Sequence, residues 1–279
     1  MSDIKYTVLV DNLSASSDLM GEHGLSILCQ IDNQKILIDT GAGKALFVNA
    51  GPLNVDLSDI DAVILTHGHY DHAGGLLKFF SINTRAKVYL SAKTTEGHFL
   101  LDQQEYLDIG MNPQIASDYR ERLIFIDDDT DVNEYVRVFS VSDKSYPLYS
   151  TNHVLHVYRN GEYMPDDFSH ELIVLVNGGL FVDVITGCSH SGIANMILTV
   201  QKKTNQRIRY LFGGFHTGDL PRYNVCGISD EEVEALADFL QKADIKEIYT
   251  MHCTGEKYFH KLHAIIGDRI KYAFAGTTV

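Results

Sequence analysis

No stretch of this 279-residue chain is apolar for long enough to cross a bilayer. A spanning helix needs about 20 apolar residues, and the best run here, Leu172 to Val176, breaks at Asn177-Gly178-Gly179. Between Met1 and Asn12, the charges of Asp3, Lys5 and Asp11 leave no apolar core for a secretory leader, so none is expected. Cysteine is sparse. Cys29, Cys188, Cys226 and Cys253 form no C-x-x-C pair and no dense framework, which points to a reducing, cytoplasmic compartment with thiols that are free or ligating. Positive charge is short as well, with 23 Lys and Arg against 37 Asp and Glu, a net charge of −14. Nucleic acid is therefore not an expected partner, because phosphate binding needs clustered cations. A small anionic substrate stays compatible, since one pocket on an acidic protein can still be basic or metal-lined.

Fixed-period repeats, low-complexity tracts and Pro/Gly linkers are also missing, so one domain over residues 1–279 is expected. Strands are predicted at Tyr6–Val10, Leu25–Ile31 and Lys35–Asp39, and again at Ala62–Thr66 and Lys87–Ser91. Residues 94–122 are mixed and polar, and read as helical or irregular. Further strands are predicted at Leu123–Ile126, Tyr135–Val141, Val154–Tyr158, Glu171–Val176 and Leu180–Thr186, with a hairpin turn at Asn177-Gly178-Gly179. The remainder alternates: helix Ser191–Lys203, strand Ile208–Phe212, helix Ser229–Gln241, strand Glu247–Met251, helix Glu256–Ile266. Ser229 and Glu232 are spaced as a capping box, and Val233, Leu236, Ala237 and Leu240 make one apolar helix face.

The strongest chemical signal is Thr66-His67-Gly68-His69-Tyr70-Asp71-His72, where a buried strand ends and a helix with Leu76, Leu77 and Phe80 begins. Four ligand-capable side chains in six residues cannot converge from a regular strand or helix, but a turn containing Gly68 allows it. Imidazoles with a carboxylate suit zinc, iron or manganese. The bland alternative is an exposed His-rich turn; the apolar strand before it and Ala73-Gly74-Gly75 after it favour a metal site. Two other chemistries are excluded. Thr40-Gly41-Ala42-Gly43-Lys44 is not a phosphate-binding P-loop, because Ile38 stands where the first glycine is needed and Ala45 where a Ser or Thr is needed. No G-x-S-x-G nucleophile elbow is present.

The H-x-H-x-D-H pattern at a strand end resembles the metallo-β-lactamase superfamily. That resemblance implies an α/β fold, a four-layer αββα sandwich. It implies a two-metal centre in which His67 and His69 serve one ion and Asp71 and His72 the other. Asp39-Thr40-Gly41 is similar to the family's early Asp-Thr-Gly turn, whose Asp hydrogen-bonds beneath the metal loop. His252, ending an apolar strand in Met-His-Cys-Thr-Gly, matches the last His ligand. Where the family usually shows Thr-Gly-Asp, this chain has Thr186-Gly187-Cys188-Ser189-His190. Either Cys188 or His190 replaces the missing Asp; His190 is preferred as a neutral ligand with reach, leaving Cys188 as a small buried turn residue. His170 stands roughly where a third His is expected, though a surface strand cap fits it equally. His216, in Gly213-Gly214-Phe215-His216, fits a ligand, a supporting group or a substrate contact. For His23, His98, His153, His156, His260 and His263 the sequence offers no convergent neighbours, and surface or satisfied core is their default.

His-Gly-His-Tyr-Asp-His-Ala-Gly-Gly, Gly-Cys-Ser-His-Ser-Gly-Ile-Ala-Asn, Gly-Gly-Phe-His and His-Cys-Thr-Gly together resemble one subgroup of the superfamily. It contains an archaeal dihydropterin–ribofuranosylaminobenzene phosphate synthase and many metal-dependent hydrolases. The resemblance implies a metallo-hydrolase with two divalent transition-metal ions, zinc in the first instance and iron or manganese as alternatives. A metal-activated hydroxide would attack an ester, lactone or phosphoester of a small molecule, with Asp71 orienting it and His216 or Tyr70 near the leaving group. The alternatives are a pterin-type transferase, with Arg222, Arg159 and Lys44 as candidate cations for its substrate, and a non-catalytic metal-binding domain. The substrate, the metal and the oligomeric state are not legible in the sequence.

Overall fold

The computed structural model describes residues 3–223 and 225–279. Strand alternation decides its layers. In the first sheet Tyr6, Val8, Ile27, Cys29, Ile31, Ile36, Ile38 and Ile64 face one core, while Leu9, Leu28, Leu37, Val63 and Leu65 face another. Successive side chains of a strand point to opposite faces, and both faces here are apolar, so both must be covered. The same split recurs in the second sheet. Leu172, Val174 and Val176 join the core shared with the first sheet, whereas Ile173 and Leu175 face outward onto helices.

The first sheet has six strands in the order Ile4–Val10, Ser26–Ile31, Gln34–Ile38, Ala62–Ile64, Lys87–Ser91 and Leu123–Ile126. Its first two pairings are antiparallel and the last three parallel. The second has seven: Ile270–Tyr272, Ile245–Thr250, Arg207–Gly213, Phe181–Ile185, Leu172–Asn177, Val136–Ser140 and Thr130–Asp131. Helices Ile193–Lys203, Asp230–Lys242 and Glu256–Ile266 cover its outer face, and helices Ala45–Asn49 and Leu76–Ile82 cover that of the first sheet. The result is a four-layer αββα sandwich. The capping box of Ser229 and Glu232 is formed, and the hairpin at 177–179 joins two antiparallel strands. No helix among the described residues is long and apolar enough to cross a membrane.

Within residues 94–122, Gln114–Asp118 and Arg120–Arg122 are helical as expected, but residues 97–108 differ from the helical or irregular reading. Gly97–Asp102 and Glu105–Asp108 form a hairpin that pairs with Leu155–Arg159 and Glu162–Pro165 in a third, four-stranded sheet. Its strands are short and half-exposed, so apolar alternation is weak, and the pairing partner lies some fifty residues away in sequence. Tyr106 stacked on Tyr163 at 3.8 Å helps fix this sheet, an interaction no local window reveals. The short strands Thr130–Asp131, Glu162–Pro165 and Ile270–Tyr272 also escaped the sequence reading.

One polar link crosses the apolar space between the main sheets. Asp183 is fully buried, accepts from the Tyr6 hydroxyl at 2.8 Å, and forms an ion pair with the Arg209 guanidinium. Burial pushes the Tyr6 phenol well above its ordinary pKa, so the hydroxyl stays a donor. Asp183→Asn strands a guanidinium without its counter-charge, and unfolding in urea should show a loss of about 2 kcal/mol. A variant as stable as the parent would show that the link contributes nothing.

Candidate metal centre

The parallel strands of both sheets end at one edge of the sandwich, where open α/β sheets commonly bind ligands. Ala62–Ile64 runs into Thr66 and His67, Phe181–Ile185 into Cys188 and His190, Arg207–Gly213 into His216, and Ile245–Thr250 into His252. Ile4–Val10 delivers Asp11 and Asn12 to the same edge. Asp39, Ser189, His216 and His252 all hold left-handed backbone angles, with φ between 49° and 58°. Such conformations are costly for non-glycine residues and persist where surrounding contacts over-determine them. Gly187 is required by close approach: a Cβ there would lie 2.2 Å from Thr66 Oγ1. At Gly68 a Cβ would meet the His98 ring at 2.6 Å, so this glycine makes room for an imidazole and does not supply a left-handed turn.

The ligand-capable groups form overlapping sets, two of which follow the division between two ions that the motif implies. His67, His69 and His190 bring ring nitrogens within 4.8 Å of one another; Asp71, His72, His252 and Cys188 form the second set on the same criterion. All seven side chains are buried. The Nε2 atoms of His67, His69, His190 and His216 are buried without any protein partner. A buried, unsatisfied nitrogen costs about 1–3 kcal/mol, so four aimed into one space call for an electrophile, and a cation fits. Burial, followed by the charge of neighbouring imidazoles, holds His67, His69 and His190 well below the ordinary histidine pKa. They are neutral at pH 7, the form that ligates. Burial alone would raise the Asp71 carboxyl, but His72, His252 and His23 outweigh it and hold it well below its usual range.

Partners behind the ligands fix their tautomers. Asp39 accepts from Thr66 N at 2.8 Å, Thr66 Oγ1 at 2.7 Å and His72 Nδ1 at 2.6 Å, which turns the His72 Nε2 lone pair outward. Thr66 Oγ1 in turn lies 3.0 Å from His67 Nδ1. Asn12 Oδ1 accepts from His252 Nδ1 at 2.8 Å, leaving Nε2 3.1 Å from Asp71 Oδ2. Asp11 accepts the His252 backbone N–H at 2.6 Å. Glu171 is fully buried and accepts both the His190 and Ser191 backbone N–H groups at 2.7 Å. Burial pushes its carboxyl up to about 7.

The sequence-derived residues His67, His69, Asp71, His72, His190, His216 and His252 are all brought to this edge. Cys188 joins them with its sulfur 3.1 Å from His72 Nε2, beyond the turn-supporting role considered for it. His170 is no surface cap. It is buried, accepts Gly68 N–H on Nδ1 at 3.0 Å, and stands with His98 beside Asp166. His98 is satisfied core, between Asp166 and the Lys93 carbonyl. His23 has convergent neighbours after all: its half-exposed ring is 3.3 Å from Asp71 Oδ2 at the mouth. Asp11, Asn12, Glu171 and Asp166 were missed, because single acidic or amide residues at strand ends carry no motif.

The mouth is a small cavity of about 70 Å³, with His23, Asp71, Cys188, His190, His216 and His252 at its floor. Leu100, Ile109, Leu155, Leu220 and Tyr223 wall it, two of them from the third sheet. Of the cations considered for a substrate anion, Arg159 is engaged by Glu96 and Asp167, and Lys44 does not line the mouth. Arg222 lies exposed beside Tyr223.

Asp39→Asn keeps the shape but weakens the acceptor that orients His72. Removing such a supporting partner typically lowers metal affinity by about 10–100-fold. Competition against a chelating dye should show a loss in that range for zinc, and unchanged affinity would remove Asp39 from this role.

A sequence model of the Metallo-beta-lactamase superfamily matches residues 20–158. An uncharacterised protein of Methanocaldococcus jannaschii is 28% identical over 91% of this chain and 92% of its own length. From the same organism, 7,8-dihydropterin-6-methyl-4-(beta-D-ribofuranosyl)-aminobenzene-5′-phosphate synthase is 26% identical over 96% of each chain. Among solved structures, a metal-dependent hydrolase of the beta-lactamase superfamily is 27% identical, with a TM-score of 0.82 over 99% of this chain and 98% of the other. Zinc-bound PqqB from Methylobacterium extorquens shares the fold at 13% identity, with a TM-score of 0.62 over 99% of each chain. By its sequence motifs, its sandwich and these relatives, the chain belongs to the metallo-β-lactamase superfamily.

Proposed function

We propose that this protein is a metal-dependent hydrolase acting on an ester, lactone or phosphoester of a small molecule. His67, His69 and His190 would hold one divalent ion and Asp71, His72 and His252 a second, zinc in the first instance. The observation that carries the reading is the convergence of the partnerless, buried Nε2 atoms of His67, His69 and His190 beside a second set built on Asp71. Such a pair of ions supplies a nucleophile from water at neutral pH and polarises a carbonyl or phosphoryl oxygen.

The chain's own residues do the rest. Asp71, with one carboxylate oxygen already between His252 and His23, is placed to orient the attacking group. His216 Nε2 opens on the same cavity, 4.1 Å ring to ring from His190, and would pass a proton to the leaving group. The apolar wall of Leu100, Ile109, Leu155, Leu220 and Tyr223 excludes water and packs the substrate's body. A second reading is a transferase of the pterin type, since an apolar wall suits the face of an aromatic ring and one relative is named as such a synthase.

Elemental analysis of gently purified protein should find close to two transition-metal ions per chain. His252→Ala should lose one while circular dichroism stays unchanged; protein that takes up no zinc, iron or manganese would defeat the reading.

Hydrolysis across a phosphodiester and lactone panel should rise as pH passes about 7, vanish with a chelator and return with metal. His216→Asn should lower kcat by about 10²–10⁴-fold at unchanged metal content if it handles a proton. Condensation of a dihydropterin pyrophosphate with an arylamine, with no hydrolysis of the panel, would establish the transferase instead.

A further inference from the structure

The position that ordinarily carries an aspartate in this family is Cys188 here, and its sulfur belongs to two ligand sets at once. It lies within 4.8 Å of the ligand atoms of Asp71, His72 and His252, and also within 4.8 Å of those of His190 and His216. His190 is at the same time a member of the set formed with His67 and His69. One atom shared between the neighbourhoods of two ions has the geometry of a bridge. We infer that the Cys188 thiolate is the ligand shared by both metal ions, in place of a carboxylate. The inference rests on the two-metal reading of this site.

Distances are compatible. Zinc–sulfur bonds are about 2.3 Å, and ions in two-metal sites lie about 3.5–4 Å apart, so one sulfur can reach both. The turn fixes its direction. Gly187 has no space for a side chain against Thr66, Ser189 is left-handed, and the Ser189 hydroxyl donates to Thr186 Oγ1 at 2.9 Å. Cys188 is thereby held buried, with Sγ on the His72 Nε2 lone pair at 3.1 Å. Because His72 Nδ1 donates to Asp39, this contact is a thiol S–H donated to Nε2. Metal binding would replace that hydrogen: the thiol proton leaves to solvent, and both the sulfur and the Nε2 lone pair turn to the ions.

The neighbouring Cys253 does not fit the same role. Its sulfur accepts the His216 backbone N–H at 3.3 Å and donates to the Cys188 carbonyl at 3.6 Å, so it braces the turn. It belongs to none of the ligand sets among the described residues. Cys29 lies in the core between the sheets and Cys226 is exposed. A soft thiolate bridge would favour zinc or ferrous iron over manganese or magnesium.

X-ray absorption on the zinc-loaded wild-type protein should show about one sulfur neighbour per zinc at about 2.3 Å. A terminal thiolate on one ion would give half that number, and either this or the absence of sulfur with two zinc ions bound would overturn the bridge. Cobalt-loaded wild type should show a near-ultraviolet thiolate-to-cobalt charge-transfer band. Cys188→Asp should keep two ions and lose both the band and the sulfur shell, whereas Cys253→Ser should keep them. Loss of the sulfur shell in Cys253→Ser would assign the ligand to the wrong cysteine here. Failure of the wild type to take up metal at all would defeat the two-metal reading and the bridge with it.

Discussion

The Asp39 carboxylate holds the rest of the centre in register. It accepts three hydrogen bonds at 2.6–2.8 Å in a fully buried place, two from Thr66 and one from His72. Through Thr66 Oγ1 it reaches His67 Nδ1. A buried carboxylate survives only when its lone pairs are used, and here the groups that satisfy it are those that aim the ligands. The strand end, the turn and the start of the following helix are thus tied to one anion. The φ of 57° at Asp39 itself is the local conformational cost of that arrangement.

The two sheets contribute unequally to the site. The first supplies the compact His67–His72 run together with its Asp39 anchor. Cys188, His190, His216 and His252 come from three successive strand ends of the second sheet, each held by a separate backbone-directed partner. Glu171 clamps the N–H groups of His190 and Ser191, and Asp11 takes that of His252. This division makes the centre sensitive to how the sheets sit against each other, which the apolar inter-sheet core and the Asp183–Tyr6 link determine.

The site's electrostatics are local and do not follow net charge. The chain carries −14 overall, yet its metal centre gathers imidazoles, and burial keeps those of His67, His69 and His190 neutral. Asp71 adds one carboxylate, held ionised by the histidines around it. Neutral nitrogen donors with few anions suit a divalent ion of intermediate softness. The third sheet brings an apolar wall over that centre, so chemistry and substrate packing come from different parts of the chain.

By itself the sequence determined what local pattern can encode. Short apolar, β-rich runs bounded by turn residues marked most strands of both main sheets. The capping box at Ser229 marked a helix start, and the His67–His72 run marked the metal-capable turn, because its four side chains are neighbours along the chain. His190, His216 and His252 could be singled out as histidines at strand ends. Tertiary structure alone decided which of them meet. Only in the folded chain does Cys188 stand between two ligand sets and His170 turn inward onto Gly68 N–H. Only there does His23 reach Asp71, and do Asp11, Asn12 and Glu171 brace the ligands. The third sheet was equally illegible, since Gly97–Asp102 is stabilised by pairing with Leu155–Arg159, far along the chain. The physical reason is the same in each case: periodicity and spacing record what a residue does to its near neighbours. Convergence on one point depends on how separately formed strands close over a shared core.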